Sequence, residues 1–145
     1  MFAIYATILG IIAIYVLFKG QSAGRISIVV YATAVLATEI SSHQLRSNDD
    51  FLSRLAIIDS TALACLLLVA LLSKRSWPLW VSALQLNTVV AELVVITSAH
   101  NDWPIVYVLT TVWGLPTICI MAIGVLRDNR AGVTGNGFGR KAAGA

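Results

Sequence analysis

Apolar residues fall along this chain in five long runs separated by short polar links, and each run predicts a helix. The first, Phe2–Phe18, ends at Lys19. The second opens after the link Lys19–Arg25 and runs from Ile26 to about Arg46, with unbroken apolar character only as far as Thr38. Phe51–Leu72, Pro78–Ala99 and Pro104–Leu126 complete the set. A helix rising ~1.5 Å per residue crosses a ~30 Å hydrocarbon core in about 20 residues, which is the length of these runs. Trp77-Pro78 and Trp103-Pro104 are natural helix openings, because proline is tolerated in the first turn. Pro116, inside the last run, predicts a kink. The links are short, from about 4 to about 10 residues, so consecutive helices are expected to be antiparallel neighbours.

The fold class expected is therefore all-α, a polytopic membrane protein built as a bundle of five transmembrane helices. The spans lie at about 2–18, 26–46, 51–72, 78–99 and 104–126, in one domain over 1–126. The remainder, 127–145, is basic and glycine-rich, without apolar periodicity, and reads as a flexible tail in water. Phe2–Phe18 has no basic residue before it, so it is expected to be a retained helix rather than a cleaved signal.

Composition agrees. Of 145 residues 58% are hydrophobic and 12% charged, with mean hydropathy +0.84; an ordinary soluble domain carries about 25% charged residues. The net charge of +3 is not spread as a nucleic-acid surface would be, and no nucleic-acid partner is expected. The basic residues instead set topology. With the N-terminus outside, Lys19, Arg25, Lys74, Arg75, Arg127, Arg130, Arg140 and Lys141 lie inside, against Arg46 and Arg54 outside. Omitting the second span leaves six against four, so the N-out, C-in arrangement of five spans is preferred. Trp77 and Trp80 would mark the inner interface, and Trp103 and Tyr107 the outer one. Helical spans with this bias point to a bacterial inner membrane rather than an outer-membrane barrel. Cys65 and Cys119, each inside an apolar run, read as small hydrophobes and not as a disulfide.

The candidate chemistry is a polar layer inside the spans. Glu39 is thirteen residues from Ile26, Asp59 thirteen from Leu72 and Glu92 fourteen from Pro78. Each then lies ~20 Å above the inner face at ~1.5 Å per residue. Three ionised carboxylates cannot share one level unpaired in lipid, so the layer must hold protons, a cation or a basic partner. Arg54, about a turn and a half from Asp59, and His43, four residues after Glu39, are the candidate partners. Gln85 and Thr88, with Ser82, extend the polar face of the fourth span inward.

The plain structural reading is that these groups hydrogen-bond helices together, at ~0.6 kcal/mol each. A proton or cation site, or a site completed by another subunit, is the functional reading. Metal ligation is not expected, since the acids and histidines lack Glu-x-x-His or His-Glu-x-x-His spacing. Nor is any cofactor: His43 and His100 differ in depth by ~8 Å, too far for two ligands of one haem iron. Gly135–Gly139 follows no strand and opens no helix, so it is not a phosphate loop.

Short loops and the lack of a motif for catalysis lead to a non-enzymatic protein. The expected role is an accessory or assembly subunit, surrounded by lipid and packed against other membrane subunits or in a homo-oligomer. The alternative is a small proton- or cation-coupled carrier using the intramembrane acids.

Overall fold

The computed structural model describes residues 2–44, 48–73, 75–97 and 103–132, with side chains over 4–42, 50–73, 75–97 and 112–132. Five helices follow one another: α1 (Phe2–Lys19), α2 (Ser22–Gln44), α3 (Asn48–Leu72), α4 (Trp77–Thr97) and α5 (Trp103–Arg130). Ser22–Ser42, Asp50–Leu72 and Trp77–Thr97 are each long and apolar enough to cross a membrane, and Ile4–Lys19 is a shorter apolar helix. Each helix packs against its neighbours in sequence, and α1 against α5 closes the ring, with a narrower contact between α2 and α5.

The core lies on the ring's axis. Val16 of α1, Ile28 of α2, Leu66 of α3, Val81 of α4, and Ile118 and Met121 of α5 are all essentially inaccessible. The outer surface is apolar too, with Phe18, Leu36, Leu71 and Trp80 each more than 60% exposed. Water would not tolerate so continuous an apolar surface on a monomer, whereas a hydrocarbon solvent would.

At one end, which carries Lys19, Arg75 and Arg127 and is called here the basic end, polar side chains tie the helix termini together. Arg75, in the α3–α4 link, pairs with Asp128 of α5 and also donates to the side-chain oxygen of Gln21 in the α1–α2 link. The Trp77 indole Nε1 donates to Asp128 Oδ2 at 3.0 Å. Trp77 is thus not the lipid-interface anchor expected from sequence. It is buried, because its N–H finds a carboxylate inside the bundle and its ring lies against Gly124, whereas Trp80 is exposed. Trp103 and Tyr107, the other expected anchors, have side chains outside the described residues.

Several helix ends differ in detail from the apolar runs; α3, for one, begins at Asn48, ahead of Phe51. The Gln21 carbonyl accepts from the Arg25 N–H at 2.9 Å, so α2 starts at Ser22 instead of Ile26. At the other end α5 runs past Leu126 to Arg130. Arg127 and Arg130 complement the negative end of its dipole, Asp128 is held by Arg75 and Trp77, and Gly132 at φ 62° turns the chain away. Residues 133–145, the rest of the expected tail, lie outside the described residues. Cys65 and Cys119 are free thiols.

A Cβ on Gly124 would lie 2.5 Å from Cγ of Trp77. Gly124→Ala is therefore expected to push the indole off Asp128 and destabilise the bundle by ~1–3 kcal/mol. Thermal unfolding in detergent, with Trp fluorescence as the probe, checks this; an unchanged melting temperature would refute the packing described.

Candidate functional site

The interior face of α4 is polar along most of its length. Ser82, Gln85, Thr88 and Glu92 are all buried, at intervals of three and four residues that place them on one side of the helix. The hydroxyls are satisfied within the helix itself: Ser82 donates to the Pro78 carbonyl at 3.0 Å and Thr88 to that of Leu84 at 3.4 Å. Glu92 is not. Its side chain is 0% exposed, and among the described residues neither carboxyl oxygen has a hydrogen-bond partner.

Asp59 of α3 is the neighbouring acid. It faces Glu92, and Gln85 stands beside it. The two carboxyls stand within interaction range, and because an ionised carboxylate only accepts, a hydrogen bond between them requires a proton on one of the two. Asp59 itself is half-buried. Tyr5 of α1 and Tyr31 of α2 are within electrostatic reach of it. The two phenol oxygens are 3.0 Å apart, and Tyr31 donates to the Gly114 carbonyl of α5 at 3.4 Å. The Thr117 hydroxyl, which donates to the Trp113 carbonyl at 2.9 Å, is also at hand for Tyr31. Every helix of the ring therefore brings at least one polar group to the same interior region.

Of the residues singled out from sequence, Asp59, Glu92 and Gln85 come together, and Thr88 lies one turn from Glu92 on the same face. Glu39 is half-buried on α2. Because α2 begins at Ser22, Glu39 is seventeen residues from that helix start, ~3–6 Å farther from the basic end than Glu92 or Asp59. Arg54 is exposed on α3. His43 falls within α2, but its side chain is outside the described residues, as is His100. The tyrosines and Thr117 were not foreseen. Tyr5 is fourteen residues from Lys19, the spacing that placed the acids at one level, so extending that depth argument to phenols would have found it.

Two adjacent carboxyls flanked by a carboxamide and two phenols can bind and release a proton or a small cation. The nearby guanidiniums are not placed to neutralise them, since Arg54 is exposed and Arg75 is paired with Asp128 at the basic end. Among the described residues no three of His, Cys, Asp and Glu converge as metal ligands would. No family model matches the chain, and neither a curated protein nor a solved structure matches it.

If Glu92 were a packing residue, removing its carboxyl would weaken the bundle. An acid with two unpartnered oxygens is instead a burden on stability, and Glu92→Leu is expected to melt at the native temperature or above it. A loss exceeding ~2 kcal/mol on thermal unfolding in detergent would return Glu92 to a structural role.

Proposed function

We propose that this chain is a small integral membrane protein of five spans, N-out and C-in, whose working part is the Asp59–Glu92 pair, and that it couples the binding of a proton or small cation at this pair to transport. One observation carries the reading. Glu92 is wholly buried with both carboxyl oxygens unpartnered, beside a second acid. An intramembrane ionisable group is costly wherever it sits, and one without a structural partner is retained for what it binds. Pro116 removes the N–H that would have bonded the Val112 carbonyl, close to where Tyr31 meets α5, but the helix continues through it and does not supply the broken helix common at carrier sites.

The apolar outer surface suits surrounding lipid and a partner helix equally well, so it does not favour an accessory-subunit role over this one. The orientation rests on the basic residues, eight of which fall on the inner side in this arrangement. A bacterial inner membrane is the setting we propose.

Reporter fusions test the topology. A fluorescent protein fused after Ala145 is expected to fluoresce and an alkaline phosphatase fused there to remain inactive; the reverse pattern would overturn the orientation. For the function, the protein is reconstituted into vesicles carrying a proton, sodium or potassium gradient. Ion flux is expected from the native chain and is expected to fall to the level of empty vesicles in the Asp59→Asn, Glu92→Gln double variant. Equal flux from native and double variant would end the carrier reading. A second polypeptide of fixed stoichiometry in native mass spectra would favour the accessory role.

A further inference from the structure

The two carboxyls of the pair are not equivalent, and the difference indicates which ion is bound and where. Resting on the carrier reading, we infer that the exchangeable ion is a proton, that Glu92 keeps a resident proton throughout, and that Asp59 is the group that loads and unloads.

Glu92 is at 0% exposure with no donor aimed at either oxygen. An ionised carboxylate offers about four lone-pair sites and needs donors for them; the neutral acid has far less to satisfy. Its surroundings therefore suit the protonated form. Asp59 has the opposite setting. It is half-buried and the Gln85 carboxamide can donate to it, while the phenols of Tyr5 and Tyr31, within electrostatic reach, are bonded to each other and to the Gly114 carbonyl. The amide donor and partial exposure favour Asp59 over Glu92 as the ionised member of the pair, and that exposure gives a proton a way in.

The groups facing the pair can be taken helix by helix. They are Tyr5 from α1, Tyr31 from α2 with Glu39 farther out, and Gln85 from α4. The described part of α5 contributes Thr117 through Tyr31 and brings no charge there. The resting pair then bears one negative charge. Loading transfers H⁺ from water to Asp59, forming one O–H bond and making the pair neutral; unloading breaks that bond and returns H⁺ to water. No electron moves.

A proton needs only one lone pair. Calcium takes 6–8 oxygen ligands and magnesium a near-ideal octahedron, and among the described residues no three ligand-type side chains converge. The neutral Glu92 would also leave a metal cation with a single carboxylate.

Infrared spectroscopy and flux together test this, using the full chain in vesicles of phosphatidylethanolamine and phosphatidylglycerol. The native protein is expected to show one protonated-carboxyl C=O band at neutral pH, joined by a second as the pH falls. Glu92→Gln is expected to remove the resident band, and Asp59→Asn to leave it. With a pH gradient, Asp59→Asn is expected to lose roughly tenfold or more of the native flux. A native protein without the neutral-pH band overturns the inference even where a variant fails to fold. So does a band that survives Glu92→Gln, native-level flux in Asp59→Asn, or flux driven by sodium alone. Absence of flux under every gradient would instead fail the carrier reading, and the native spectrum would still decide where the proton resides.

Discussion

The structure turns on the desolvation of one carboxyl group. Burying a polar group without a hydrogen bond costs several kcal/mol in an apolar medium, and burying a charge costs more. Glu92 is enclosed completely, and among the described residues neither of its oxygens receives a donor. The other polar side chains of α4's interior face avoid that penalty, because Ser82 and Thr88 bond to carbonyls of their own helix. An ionised Glu92 has no donor to offer those carbonyls, and its side chain faces Asp59. The apolar ring of five helices holds it there, and its neighbours make the region polar at the centre of an otherwise hydrocarbon-like body.

The ring has a second polar region, at the basic end, with the opposite character. There Arg75, Asp128, Gln21 and Trp77 satisfy one another and tie the two short links to the end of α5. A closed set of this kind fixes helix termini and leaves little chemistry unspent. The contrast between a satisfied cluster at one end and a wholly buried acid in the interior is the physical ground on which the Asp59–Glu92 pair is proposed as the working site.

How much of this was legible in the sequence depended on whether a signal was local. Runs of apolar residues and the openings at Trp77-Pro78 and Trp103-Pro104 announce helices without reference to anything distant. The α4 face is also legible, since Ser82, Gln85, Thr88 and Glu92 repeat at the helical period. Trp77 was not: whether an indole anchors at an interface or turns inward depends on Gly124 and Asp128, about fifty residues away. Tyr5 and Tyr31 were missed because phenols inside apolar helices look like ordinary packing until their oxygens are found 3.0 Å apart. The level assigned to Glu39 shifted for a smaller reason. Helix α2 is nucleated at Gln21 and Ser22 by backbone bonding, ahead of the first strongly apolar residue.

A packing role for the acids remains the natural competitor, and the geometry bears on it directly. Interhelical hydrogen bonds hold a bundle only where they are made. Between α1, α2 and α5 they are made, by Tyr5, Tyr31 and the Gly114 carbonyl. Between α3 and α4, where the packing is extensive, Asp59 stands within hydrogen-bonding range of both Gln85 and Glu92, and the link to Glu92 needs a proton on one of the acids. An interhelical bond of ~0.6 kcal/mol does not repay enclosing a carboxyl completely, and that imbalance is what motivates the proton-binding reading proposed above.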